Sequence, residues 1–385
     1  MARSSRNRSR RRYALRDEDL NEKIEELVQE AMARFGERPD AEPIRQLLVS
    51  ALRLAREASR SDLKLANNAL KELRHAFRIF SPYEGIPKVA CFGSARTPLN
   101  HPDWQQAHEF AERMVEAGWM VITGAGGGIM GAAQGGAGRE QSFGVNIRLP
   151  FEQRANEVIA GDRKLINFRY FFTRKVTFVK ESHAIALFPG GFGTHDEGFE
   201  ALTLIQTSKS GVVPVVFVDE PGGSYWRDWH AYVKTHLHTR GLISDEDLSL
   251  YRVTDDLDEA VEEILSFYRN YHSSRYVGER LVIRVRQAPD AAQLEALADE
   301  FDDILTEGEP VCGAPLPEEK GEVPDLPRVV LGFDRRRIGR LRQLIDRLND
   351  FALEAPSPRD AGPRELWTRE FTAEDEQAEE EDDGP

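Results

Sequence analysis

Apolar positions recur at helical spacing through the opening part of the chain. Leu20, Ile24, Leu27, Met32 and Phe35 form one stripe, with Gly36 placed to end it. Ile44, Leu47, Leu48, Ala51, Leu52 and Ala55 form a second, and Leu63, Ala66, Leu70, Leu73 and Phe77 a third. Residues three and four apart share one face of a helix. Residues 17–85 are therefore expected to form a helical N-terminal region whose apolar faces pack within the molecule or against a twin subunit.

Near residue 86 the pattern changes. Val89–Phe92 runs into Gly93-Ser94, a helix is expected around 103–117, and Trp119–Thr123 leads into the small-residue run Gly124–Gly131. Phe143–Ile147 is a further strand, Asn167–Ser182 reads as a helix, and Ala184–Phe188 is a buried strand entering Pro189-Gly190-Gly191. Val212–Val218 is another strand, with Pro214 near its start, and helices near 225–238 and 256–270 close the unit. Short apolar runs alternating with helical segments predict a parallel sheet with crossover helices. The expected fold class for residues 86–272 is α/β, a Rossmann-like doubly wound parallel sheet. Three of its strand ends carry glycine turns on one edge, where open sheets of this kind bind ligands.

The remainder reads as a small α+β domain over 277–352: strand Leu281–Val285, then a helix begun by Asp290 with Gln293 completing a capping box. That helix turns Leu294, Leu297, Phe301 and Ile304 inward. After a loop rich in Pro and Glu (307–327), Val329–Phe333 and a helix with Ile338, Leu341, Leu344, Ile345 and Leu348 on one face repeat the scheme. Packing or dimerisation is the plainer job for this domain, and effector binding the sharper one.

Composition narrows the class. The 385 residues are 40% apolar and 30% charged, as in a globular protein. No run reaches the roughly 18 apolar residues that span a bilayer, and no secretory signal is visible. Two cysteines, Cys91 and Cys312, make no disulfide framework, so a cytoplasmic location is expected, with both cysteines structural. The net charge of −15 argues against specific nucleic-acid binding, although it is unevenly placed. Residues 1–16 hold Arg3, Arg6, Arg8, Arg10, Arg11 and Arg12, and residues 353–385 end in the acidic stretch Glu374–Asp383. Both are expected to be disordered tails. The Arg- and Ser-rich start also suits an organelle transit peptide but lacks the amphipathic apolar face of one.

The chemistry concentrates in Pro189-Gly190-Gly191-Phe192-Gly193-Thr194-His195-Asp196-Glu197. A glycine turn between strand and helix converges backbone N–H groups on an anion at the positive helix end, and here it delivers Glu197 one turn further in. Upstream, Arg174-Lys175 lies among aromatics on the preceding helix, where a guanidinium turned inward binds phosphate or ribose oxygens. Gly126–Gly131 satisfies G-x-G-x-x-G, but the next strand ends in Arg148-Leu149-Pro150 instead of the ribose-binding acid, and Glu152 falls after the proline. This argues against a nicotinamide cofactor. There is no G-x-x-x-x-G-K-[ST] phosphate loop and no G-x-S-x-G elbow. His236-Leu237-His238 has no companion at ligand spacing, so no metal site is expected.

Together these segments resemble the LOG (Lonely Guy) family of nucleoside 5′-monophosphate phosphoribohydrolases, whose members are often mislabelled lysine decarboxylases. The family's PGGxGTxxE hallmark is met by Pro189–Glu197, its Arg-Lys pair by Arg174-Lys175, and its two glycine turns by Phe92–Arg96 and Gly124–Met130. Leu149-Pro150, Glu152-Gln153 and Asn156 resemble the long bacterial branch. The likeness covers residues 86–270. Departures are Ala125 for a frequent glycine, Gly127 for a frequent proline, Thr173 for an acid before the Arg-Lys pair, and His195 for an apolar residue. They bear on which base is preferred more than on the reaction.

The resemblance implies hydrolysis of the N-glycosidic bond of a nucleoside 5′-monophosphate, of the AMP nucleosidase type, without cofactor or metal. It makes Glu197 and Arg174 the expected catalytic residues. The expected substrate-binding residues are Gly190, Gly191, Gly193 and Thr194 at the phosphate, with Gly93, Ser94, Gly126, Gly128, Met130, Lys175 and Glu200 around it. A homodimer or higher homo-oligomer is expected. The alternative is a non-catalytic nucleotide or molybdenum-cofactor carrier on the same fold.

Overall fold

The computed structural model describes residues 13–35, 41–149, 154–319 and 322–352. Residues 1–12 of the expected basic tail, the acidic tail, Gly36, and the Pro150, Glu152 and Gln153 positions of the branch pattern lie outside the described residues. The chain divides into two compact units, residues 1–74 and 75–385.

The first unit holds α1 (Glu18–Phe35), α2 (Ala41–Glu57) and the beginning of α3 (Arg60–Phe80). Ile24 and Val28 of α1 pack with Val49 of α2, with Leu15, Met32 and Leu48 at their border; of the three packed residues only Ile24 belongs to the stripes read from sequence. Many other stripe positions, including Leu20, Leu27, Leu47 and Leu70, are exposed.

The second unit carries a seven-stranded parallel sheet in the order β4-β3-β2-β1-β5-β6-β7. In chain order its elements are β1 (Lys88–Phe92), α4 (Pro102–Glu116), β2 (Met120–Thr123), α5 (Ile129–Ala137), β3 (Ser142–Ile147) and β4 (Leu165–Phe168). Then follow α6 (Phe171–Glu181), β5 (Ala184–Leu187), α7 (Phe192–Gln206), β6 (Val215–Val218), α8 (Tyr225–Tyr232), β7 (Arg252–Thr254) and α9 (Leu257–Phe267). Side chains alternate across a strand, and β1 shows the result. Val89 and Cys91 join Phe110, Met114, Val121, Ile129 and Ile264 under α4, α5 and α9. Ala90 and Phe92 face Ile122, Phe143, Phe178, Leu187 and Phe217 under α6 to α8. The expected doubly wound α/β sheet is present, and its order reverses between β1 and β5. The glycine turns after β2, β1 and β5 therefore stand side by side on one edge.

A four-stranded antiparallel sheet, β10-β11-β9-β8, completes the unit. It comprises β8 (Tyr271–Val277), β9 (Arg280–Val285), α10 (Ala291–Glu300), β10 (Val311–Gly313), β11 (Arg328–Gly332) and α11 (Ile338–Asp350). The capping box forms as read: Asp290 accepts from the Gln293 N–H at 2.8 Å, and Gln293 Oε1 accepts from the Asp290 N–H at 2.9 Å. The Asn349 amide oxygen accepts the N–H groups of Asn270 and Tyr271 at 2.8 and 2.9 Å, tying α11 to the crossing between the sheets. Glu319, fully buried, receives Arg284 and Arg328 at 2.8 and 2.9 Å.

Candidate active site

The turn between β5 and α7 is held by its carbonyls. The Pro189 oxygen accepts from the Ser94 N–H at 3.1 Å, and the Gly191 oxygen accepts from the N–H groups of Thr194 and His195 at 3.0 and 3.2 Å. Gly191 caps α7 with no side chain to cover the first turn. Among the described residues, the N–H groups of Gly190, Gly191, Phe192 and Gly193 donate to no protein acceptor. Unclaimed donors at a helix N-terminus, on the positive end of its dipole, suit an anion. Gly190 is required by space: a Cβ there would lie 2.1 Å from Thr194 Oγ1 and 3.0 Å from the Ser94 nitrogen.

One turn into α7, Glu197 meets Arg174 of α6. Arg174 Nη1 lies 3.9 Å from Glu197 Oε1, with side chains 12% and 10% exposed. Arg174 is fixed by its Nε, which donates to the Val145 carbonyl at the end of β3 at 2.9 Å, and by stacking over Phe178. Burial pushes the Glu197 carboxyl above its ordinary 4.5, while Arg174 and Lys175 pull it back. Burial likewise lowers the Arg174 guanidinium and Glu197 opposes it. The pair is an acid and a cation held in low dielectric, each with capacity left for a ligand.

The other two glycine turns close around them. A Cβ on Gly124 would lie 2.7 Å from Arg174 Nη2 and 2.8 Å from Met130 Sδ, and one on Gly126 would lie 2.6 Å from Met130 Cε. Gly128 has φ +58, and a Cβ there would meet the Ser94 oxygen at 2.2 Å. The Ile129 N–H donates to that oxygen at 3.0 Å, and Gly93 fits directly against the Ile129 side chain. Ala125, where relatives often carry glycine, adopts φ +62. Its N–H is held by Thr123 Oγ1 at 3.0 Å and its carbonyl by the Asn156 N–H at 2.9 Å, which offsets the left-handed strain. Asn156 also donates from Nδ2 to the Gly126 oxygen at 2.9 Å and to Gln134 at 2.6 Å.

Glu197, Arg174, Gly190, Gly191, Gly193, Thr194, Gly93, Ser94, Gly126, Gly128 and Met130 thus gather at one sheet edge. Lys175 and Glu200 are placed differently. Lys175 Nζ bonds Glu200 at 2.6 Å and Asp196 at 2.9 Å. Both line a cavity of about 650 Å³ between α6 and α7, with Val176, Val179, Leu204 and Val213, which neither Arg174 nor Glu197 borders.

Two residues outside the expected site complete the surroundings, Asn156, read from sequence only as part of the branch pattern, and Tyr225, not picked at all. Asn156 braces the β2 turn, and Tyr225 at the start of α8 contacts both His195, at 2.7 Å from Nε2, and the Gly190 carbonyl. Asn156 lies 30 residues from Gly126 and Tyr225 35 from Gly190, separations at which no local spacing ties them to the glycines they serve. Metal-ligating types come together elsewhere. His101, Asp103 and Glu220, after β1 and β6, hold ligand atoms within 4.8 Å of one another. Burial lifts Asp103 to about 6. His236 and His238 join no such group among the described residues.

Comparison with known proteins bears on part of this site. Residues 129–264 match the family described as possible lysine decarboxylase. That span holds Arg174, Lys175 and the whole Pro189–Glu197 turn, and it is the label often given to the family the sequence resembles. Gly93, Ser94, Gly126 and Gly128 lie before it. No curated protein matches the chain. Similar solved structures include a molybdenum cofactor carrier protein from Chlamydomonas reinhardtii, 22% identical over 46% of this chain and 93% of its own, with a TM-score of 0.32. A molybdenum cofactor binding protein from Rippkaea orientalis is 16% identical over 46% and 95%, also at 0.32.

No helix among the described residues is long and apolar enough to cross a membrane.

Proposed function

We propose that the protein is a nucleoside 5′-monophosphate phosphoribohydrolase of the AMP nucleosidase type, on the long bacterial branch of the family it resembles. The observation that carries the reading is the buried Glu197–Arg174 pair set one helical turn from the open N–H groups of Gly190–Gly193. The 5′-phosphate would sit on those donors and on Thr194, with Arg174 reaching the phosphate and ribose oxygens. The bond between ribose C1′ and the base nitrogen breaks, and positive charge develops on the ribose ring. The Glu197 carboxylate stabilises that oxocarbenium character or takes a proton from the attacking water. The water oxygen ends on C1′ and its proton on the departing base, giving free base and ribose 5-phosphate.

The carrier reading remains the alternative, and one physical point weighs against it. A buried carboxylate beside an anion grip opposes binding of a ligand that stays anionic, and it helps when the bound sugar turns cationic. Incubating AMP with the protein should release adenine and ribose 5-phosphate. Tight binding without release would favour the carrier. Self-association is part of the proposal, because Phe171, Phe172 and Val176 on α6 and Phe192 and Phe199 on α7 are exposed apolar groups that a second copy would cover. A mass in solution equal to one chain would count against it.

A further inference from the structure

We propose that Tyr225 is a latch that fixes the direction of the Gly190–Gly191 peptide and so arms the anion grip; the inference rests on the phosphate reading of that turn. A trans peptide is planar, with its C=O and N–H pointing opposite ways. Anchoring a carbonyl therefore aims the next residue's N–H. Three successive carbonyls of the turn are anchored, those of Pro189, Gly190 and Gly191. The first is held by the Ser94 N–H and the third by N–H groups of α7, both backbone contacts that the fold supplies whatever the side chains are. The middle one is held by a side chain alone, the Tyr225 hydroxyl.

That middle peptide is the one most able to turn over, since it joins two glycines and no Cβ resists rotation on either side. Reversed, it would present the Gly190 oxygen where the Gly191 N–H now stands, and a carbonyl repels phosphate. The single hydroxyl proton of Tyr225 goes to the carbonyl, which has none to give. The phenol oxygen must then accept from His195 Nε2, 2.7 Å away, so His195 carries its proton on Nε2. His195 is itself set by Phe199 and Trp226, and Tyr225 packs edge-on to Trp226. The Trp226 backbone N–H donates to the Asp219 carboxylate at 2.8 Å, which fixes the start of α8. The histidine that departs from the family pattern thus has a partner in Tyr225, and both act on the turn's geometry.

Tyr225→Phe removes the hydroxyl and leaves the ring. With Glu197→Gln as the common background, so that AMP stays intact during the titration, calorimetry with AMP, and with adenosine as the phosphate-free probe, is expected to show AMP affinity falling about tenfold on adding Tyr225→Phe, the worth of one well-made hydrogen bond. The adenosine affinity and the melting temperature should stay as in the Glu197→Gln parent. Unchanged AMP affinity in Tyr225→Phe would overturn the latch while leaving the phosphate reading intact, and so would equal losses for both probes or a collapsed melting temperature. Wild-type protein that takes up neither probe would overturn the phosphate reading, and the latch with it.

Discussion

Glu197 and Arg174 stand 3.9 Å apart, beyond hydrogen-bond length, in surroundings that raise the acid and lower the base. A pair that only stabilised the fold would close to a direct bond, as Lys175 and Glu200 do at 2.6 Å. Glu197→Gln keeps the shape and removes the charge, so base release should fall by about 10²–10⁴-fold, the usual worth of a positioned acid or base. Arg174→Ala should lose most activity too. Because burial holds the Glu197 carboxyl above 4.5, and the carboxylate is the working form, the acid limb of kcat/KM should lie above the ordinary glutamate range. A pH profile that is flat down to pH 4.5 would count against the assignment. Glu197 and Arg174 were legible in sequence because each sits in a short motif. Lys175 completes the Arg-Lys pair and Glu200 lies one turn past the glycine motif, yet helix geometry turns them toward one another and the neighbouring cavity, which spacing alone does not reveal.

At the scale of elements, the glycine turns are specified by space, and the specification differs from glycine to glycine. Gly128 has a positive φ and a backbone oxygen 2.2 Å from where a Cβ would stand, whereas a Cβ on Gly127 would meet only the Ala95 oxygen, at an ordinary 3.5 Å. Gly128→Ala should therefore cost about 2 kcal/mol or more in stability, from strain and overpacking together. Gly127→Ala should stay within about 0.5 kcal/mol of wild type. Denaturant midpoints of the two variants check the contrast. The strands bearing these turns read clearly in sequence because both faces are buried and the runs are continuously apolar. β4, β7, β8 and β10 did not stand out. Asn167 and Phe168, read as the beginning of a helix, instead end β4. Tyr271–Val277 mixes His, Ser and Arg into a half-buried strand, and β7 and β10 are three residues long. The Tyr271–Val277 strand pairs with β9, and the expected first domain's end at residue 272 falls within it.

For the molecule as a whole, the antiparallel sheet is secured by charge as well as by apolar packing. Burial would raise the Glu319 carboxyl, but hydrogen bonds from Arg328, Arg284 and the Leu316 N–H reverse this and hold it at about 2. A depressed carboxyl contributes stability that is fully present above its ordinary 4.5 and is lost as pH falls toward 2. Glu319→Ala takes from buried Arg328 its carboxylate and leaves Arg284 only Glu322, and should cost about 3–5 kcal/mol at neutral pH. The gap between variant and wild type should narrow on acidification through that window, as melting temperatures would record. Nothing in the sequence marked Glu319, which lies in a stretch rich in Pro and Glu that reads as a plain loop. The central claim, that this fold turns an anion grip into a glycosidic hydrolase, meets its most direct test in a product assay. AMP is incubated with wild-type protein and with Glu197→Gln, and adenine and ribose 5-phosphate are quantified. Wild type should yield equal amounts of both products and the variant almost none. Equal turnover by the two proteins, or bound AMP recovered intact from wild type, would contradict it.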